Sequence, residues 1–238
     1  MDSIAHRTRY LLAETARLAV ACGRPAESVT LVGISKTHPA GSVREAVNAG
    51  LCHAGESYVQ EALPKQEALA DLPVTWHFVG RLQANKTAPV AAGFDWVHAV
   101  DRLRIAERLN AQRPVDRPPL NCCIEVNLSG EGSKGGVSPE ELPALAAAVA
   151  SMPRLRLRGL MVLPEATDDP ARQREPFARL RRLLEELHRD HPQLDTLSMG
   201  MSGDMEAAIA EGATLVRIGT ALFGPRPSRA VVSGSGHA

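Results

Sequence analysis

Thr214-Leu215-Val216-Arg217-Ile218-Gly219-Thr220 is the eighth short apolar run in a chain of 238 residues, and that count decides the fold. Seven similar runs precede it, at Val29–Ser35, Leu51–Gly55, Val74–Val79, Phe94–Val100, Leu120–Asn127, Leu155–Val162 and Leu194–Met199. Each has the length and the β-branched or apolar content of one strand. The segments between them leave room for a helix and two loops, with helices predicted at Val43–Ala49, Arg102–Gln112, Pro139–Ala150 and Ala171–Arg189. In the last, Phe177, Leu180, Leu184 and Leu187 line one face. Strands alternating with helices make a parallel sheet, and eight such strands close a (β/α)8 barrel. An open doubly wound sheet is the alternative, but no G-x-G-x-x-G follows the first strand.

A helix is also predicted ahead of the barrel. Ser3 caps it, Ile4, Leu11, Leu18 and Cys22 recur at helical spacing, and Gly23 and Pro25 stop it. The expected organisation is therefore a single α/β domain over residues 1–224, a (β/α)8 TIM-type barrel with an extra N-terminal helix. Residues 225–238 hold Pro, Ser and Gly without apolar periodicity, and a disordered tail is expected there.

Composition narrows the function. Lys plus Arg and Asp plus Glu both total 27, so the basic excess of a nucleic-acid binder is missing. Aromatic residues make up 3%, too few for platforms that stack single-stranded bases. No apolar run approaches the ~20 residues of a membrane span, and the N-terminal stretch alternates charged and apolar residues, unlike a secretory signal. Cys22, Cys52, Cys122 and Cys123 have no metal-ligand spacing, and small buried thiols in a reducing cytoplasm are expected.

In such barrels chemistry sits where strands end and loops begin. Lys36 closes the run Leu31-Val32-Gly33-Ile34-Ser35-Lys36. A lysine there is partly desolvated, which favours a nucleophilic amine able to form a Schiff base with an aldehyde. The alternative is an ammonium that simply reaches solvent. The loops after the seventh and eighth strands hold Met199-Gly200-Met201-Ser202-Gly203-Asp204 and Gly219-Thr220. Their amides, with the Ser202 and Thr220 hydroxyls, suit a phosphate, which barrels of this kind often bind on these two loops. Arg217 lies inside a parallel strand and needs a partner, either a carboxylate such as Glu125 or a ligand atom. The loop Ser129–Gly136 reads as a solvated turn or a lid, and His77 as a hydrogen-bonded core histidine.

These residues resemble the pyridoxal-phosphate homeostasis proteins, single-domain barrels similar to the N-terminal domain of alanine racemase. The matching segments are Val32-Gly33-Ile34-Ser35-Lys36-Thr37, Gly55-Glu56-Ser57-Tyr58-Val59-Gln60-Glu61, Trp76–Lys86, Arg158-Gly159-Leu160-Met161 and Leu197–Gly224. The resemblance implies a protein that binds pyridoxal 5'-phosphate (PLP) and buffers or delivers it, with Lys36 holding the cofactor as an internal aldimine. It further implies that Ser202, Gly219 and Thr220 hold the phosphate, that Arg217 faces the pyridine nitrogen, and that Met199 and Ser57 lie against the cofactor.

Ser57 stands where the family commonly has Asn, so a polar contact near the cofactor is weaker or rearranged. His38 stands where some members have lysine and the tail lacks their terminal lysines, so the resemblance does not carry over a secondary lysine-built site, although Lys134 is present. Fold-related racemases use a second base, a tyrosine from an added domain, whereas this chain has only Tyr10 and Tyr58. A non-enzymatic, cytoplasmic, monomeric carrier is thus expected, with PLP-dependent apoenzymes as recipients. The alternatives are a weak PLP-dependent racemase or lyase, and a phosphate-binding barrel enzyme that uses no pyridoxal.

Overall fold

The computed structural model describes residues 2–130 and 135–225. Lys134 and nearly all of the expected tail lie outside the described residues. In chain order the elements are α1 (Ile4–Ala21), β1 (Thr30–Ile34), α2 (Ala40–Asn48), β2 (His53–Glu56), α3 (Val59–Ala68), β3 (Thr75–Phe78), α4 (Thr87–Gly93), β4 (Trp96–Val100), α5 (Leu103–Gln112) and β5 (Leu120–Glu125). They continue with α6 (Leu142–Ala150), β6 (Leu155–Met161), α7 (Pro170–His188), β7 (Thr196–Ser198), α8 (Met205–Ala210), β8 (Leu215–Ile218) and α9 (Thr220–Phe223). The eight strands are parallel and close in sequence order, with β1 paired to both β2 and β8. Helix α1 precedes this barrel, its first turn capped by the Ser3 side chain accepting from the His6 amide. Gly23, at φ +71°, ends it as expected.

Differences from the expected boundaries have local causes. The fifth strand stops two residues early, at Glu125: the Val126 amide still donates to the Met161 carbonyl, but the residue is paired only as an isolated parallel bridge to Val137. Phe94 closes α4, so the fourth strand starts at Trp96. Helix α3 contains Pro64, a residue that usually marks a break. Cys22 and Cys52 are exposed rather than buried, since they sit at a helix end and ahead of β2; Cys122 and Cys123 are buried.

Strand alternation divides the apolar residues between two layers. One large cluster, including Leu31, Phe78, Val97, Ile124, Leu160, Phe177 and Val216, fills the space between barrel and helices. Val32, Ile34 and Leu215 form a small separate group inside the barrel, as do Ala99, Cys123 and Met161. The remaining interior is polar, with His77, His98, Ser198 and Arg217 all buried. Barrels of this class normally fill their centre with branched aliphatics. Among the described residues no helix is long and apolar enough to cross a membrane.

Candidate functional site

Lys36 leaves the C-terminal end of β1 half-buried, and its loop is fixed from both sides. Before it, Ser35 is buried, and its hydroxyl donates to Glu56 Oε1 at 2.5 Å. Lys65 Nζ, from α3, donates to the same oxygen at 2.6 Å and to the Ser35 carbonyl at 2.8 Å. After it, Thr37 adopts φ +68°, a left-handed conformation costly for a β-branched residue, and its amide donates to Glu61 Oε2 at 2.8 Å. Burial raises the Glu56 pKa against the lowering hydrogen bonds of Lys65 and Ser35, and its Oε2 is buried without a partner. Glu56 and Glu61 stand in a segment that carries the family resemblance, but the sequence assigns them no role of their own. Their role is to hold the backbone on which Lys36 stands.

Ser202 and Gly219–Thr220 leave β7 and β8, and the register brings them to the same end as Lys36. Gly33 of β1 pairs with Ile218 of β8, and a methyl group at Gly219 would lie 3.6 Å from the Ile34 carbonyl oxygen. The Arg217 amide donates to the Gly200 carbonyl, tying the exit of β7 to β8. Gly200 turns with φ +94°, and a Cβ there would approach the Ala208 Cβ to 2.6 Å. The expected helix opening at Ser202 is displaced, because α8 starts at Met205, with the Asp204 carboxylate turned back to accept from the Met201 amide. Ser202 lies in the preceding turn and is exposed, as is Thr220 at the start of α9. Among the described residues their hydroxyls, and the amides of Ser202, Gly203, Thr220 and Ala221, donate to no acceptor. Two adjacent loops therefore present free donors at one mouth.

Arg217 is 4% exposed and joins no ion pair among the described residues. Its Nη1 donates to Ser198 Oγ at 2.6 Å and its Nη2 to the Val162 carbonyl at 2.9 Å. Glu125, the carboxylate partner considered from sequence, acts on it only through space, together with Asp204 and Cys123. Burial lowers the Arg217 pKa to about 10, so it stays cationic at neutral pH. With two of five N–H groups spent, the guanidinium retains donors for a ligand atom.

Ser198 belongs to a longer chain. His98 Nδ1 is 2.7 Å from Ser198 Oγ, His77 Nδ1 is 2.8 Å from His98 Nε2, and His53 Nδ1 is 2.9 Å from His77 Nε2. His77 is the core histidine expected; His53 and His98 went unnoticed, although each lies on a neighbouring strand with an inward-facing side chain.

Ser57 is half-buried at the end of β2, where its backbone packs so closely on Gly80 that a Cβ there would lie 2.4 Å from the Ser57 carbonyl oxygen. Met199 is fully buried in the outer apolar cluster, because Ser198 takes the inward position of β7. It can offer a ligand at the mouth only main-chain atoms. A cavity of about 560 Å³ opens at the ends of β5 and β6, lined by Glu125, Asn127, Val162, Thr167 and Arg179. It does not include Lys36, Ser202 or Thr220, and Ser129 and Gly135, beside residues outside the described set, bound it. The donor groups, rather than this cavity, define the site.

Residues 13–227 match the family model of the alanine racemase N-terminal domain. The pyridoxal phosphate homeostasis protein of Pseudomonas aeruginosa is 58% identical over 226 residues, 95% of this chain and 97% of that protein. The chain belongs to the pyridoxal phosphate homeostasis protein family. The relative of that name in Escherichia coli K12 is 50% identical over 229 residues, 95% of this chain and 98% of its own length. PipY of Synechococcus elongatus, solved with PLP bound, is 42% identical and superposes with a TM-score of 0.78 over 90% of this chain and 100% of that one. The family match runs from α1 past α9, so it takes in every strand of the barrel and both loops that present the free donors.

Proposed function

We propose that this barrel binds PLP and takes part in intracellular PLP homeostasis, buffering the cofactor or delivering it to PLP-dependent apoenzymes in the cytoplasm. One observation supports the reading most directly. Lys36, the Gly219–Thr220 turn and the Ser202 turn leave three consecutive strands, β1, β8 and β7, at one end of the barrel. An amine, a double set of free amides and hydroxyls, and a buried guanidinium with donors to spare are the groups that an aldehyde, a phosphate and a ring nitrogen require. Lys36 would hold the cofactor covalently, through the amine that reacts with an aldehyde. Ser202, Gly219 and Thr220 would hold the phosphate, Arg217 would meet the ring nitrogen, and Ser57 and the Met199 main chain would border it. PLP supplies an electron-withdrawing ring when bound, and an arginine at the ring nitrogen leaves that capacity weak.

The residues also favour a carrier over an enzyme. Tyr10 and Tyr58 are both exposed, at 61% and 52%, Tyr10 on α1 and Tyr58 ahead of α3, so neither is held as a second base. Borohydride reduction of PLP-loaded protein followed by peptide mapping tests the attachment. Label on Lys36 supports it, and label on Lys86 or Lys134, or none, overturns it. Incubation with single amino acids separates the roles. Stoichiometric exchange without turnover is expected of the carrier, and sustained racemisation of the enzyme.

A further inference from the structure

The interior chain His53–His77–His98–Ser198 ends on Arg217 and crosses the barrel from the first residue of β2 to β7 and β8. Both buried histidines are neutral at pH 7: burial and the Arg217 charge lower His98 to about 3, and burial, His98 and His53 lower His77 well below its usual value. A neutral imidazole has one donor and one acceptor, so each ring fixes the tautomer of the next. Direction is then set at the Arg217 end. The guanidinium only donates, so Ser198 Oγ accepts from it, and the Ser198 hydroxyl proton needs an acceptor in a fully buried place. His98 Nδ1, at 2.7 Å, is the acceptor available. His98 Nε2–H then donates to His77 Nδ1, and His77 Nε2–H to His53 Nδ1. The reverse direction strands the serine proton and turns N–H dipoles toward a cation. Trp96 stacks on His77 at 5.5 Å with 11° between the planes, and Arg158 lies 5.0 Å over Trp96, so the rings are held.

We propose that His53, His77 and His98 are positioning residues for Arg217, forming a one-directional chain whose acceptor end stands in for a carboxylate. A carboxylate there would neutralise the guanidinium and favour a protonated ring nitrogen. The histidine chain solvates the cation while leaving its charge intact, so the site selects an unprotonated aromatic nitrogen. This deepens the proposed function and rests on Arg217 facing the ring.

Long-range 15N–1H correlation spectra of cofactor-free, histidine-labelled protein test the chain without any substitution. All three rings are expected as Nε2–H tautomers at neutral pH. A protonated Nδ1 on His98 or His77 overturns the inference. In PLP-loaded protein, with folding confirmed by circular dichroism, His98→Phe is expected to shift the visible absorption maximum in the same direction as Arg217→Gln. His98→Gln, which keeps a donor and an acceptor, is expected to preserve the wild-type spectrum. A space-filling role predicts the opposite order. A shift in Arg217→Gln without one in His98→Phe overturns the chain alone; no shift in either overturns the ring contact of Arg217, and the inference with it.

Discussion

Lys65 Nζ lies 2.6 Å from Glu56 Oε1, both groups almost wholly buried, one residue pair away from the loop that holds Lys36. A lysine of α3 thus neutralises the buried carboxylate that holds Ser35, the residue before Lys36. Removing one partner of such a pair leaves an uncompensated charge, at about 3–5 kcal/mol. Lys65→Met is therefore expected to destabilise by an amount toward the lower end, because burial already favours the neutral form of Glu56. Lys65→Met combined with Glu56→Gln should lose less than the single change, as urea unfolding would measure. A single variant as stable as the wild type would show that the pair does not hold this loop.

The free donors after β7 and β8 predict how affinity divides. Ser202→Ala and Thr220→Val should each weaken PLP binding by roughly 1.5–3 kcal/mol, the worth of one charge-assisted hydrogen bond. Pyridoxal without its phosphate should bind the wild type far more weakly and be indifferent to both substitutions. Equal affinity for PLP and pyridoxal by fluorescence titration would show that these loops do not read a phosphate.

Acid should unfold the protein through its buried histidines. His77 and His98 are held neutral in the fold, whereas in the unfolded chain they protonate near 6.5. Below that pH the unfolded state binds more protons, so stability falls as pH falls, by up to roughly 1.4 kcal/mol per pH unit for each histidine. For His98 the loss continues to about pH 3. Glu56 and Glu125 act oppositely, since burial raises both, and they offset part of the loss only near and above the usual carboxylate range. Thermal melts between pH 7 and 5 should show a falling midpoint in the wild type and a flatter one in His98→Gln. A flat wild-type profile would contradict the burial of these rings as neutral groups.

The barrel was legible because each strand is a compact apolar run bounded by turns, and the order of eight such runs admits few topologies. Lys36, Arg217 and the two late loops were legible as polar residues at the ends of such runs. Glu61 was not, because its bond to the Thr37 amide joins positions 24 residues apart and depends on how α3 lies beside β1. The histidine chain escaped for a similar reason. His53, His77 and His98 are separated by 24 and 21 residues, and only closure of the sheet brings one ring from each of three strands into contact. Their signal was present as a histidine in the inward phase of successive strands, a pattern that single-strand periodicity does not weigh. Met199 shows the converse: the resemblance sets it against the cofactor, but the pleat of β7 turns its side chain outward into the apolar layer.

Arg217 decides between carrier and catalyst. Among the described residues its cation is buried with hydroxyl and carbonyl partners, and the carboxylates that raise its pKa, Asp204 and Glu125, act through space. With Arg217 at the ring nitrogen as proposed, Arg217→Glu would set a carboxylate there and favour the protonated form, as in cofactor enzymes that need an electron sink. The bound cofactor should then withdraw electrons more strongly, and α-proton exchange of a bound amino acid in deuterated water should accelerate. The change also reverses a buried charge beside Ser198, so folding and PLP occupancy must be established first. Arg217→Gln is the milder comparison, removing the charge while keeping a donor for Ser198, and should give an intermediate exchange rate. If folded, PLP-loaded Arg217→Glu shows unchanged exchange and an unchanged visible spectrum, Arg217 does not touch the ring. Its role would then be to close the polar interior of the barrel, and the electronic quietness of the site would need another cause.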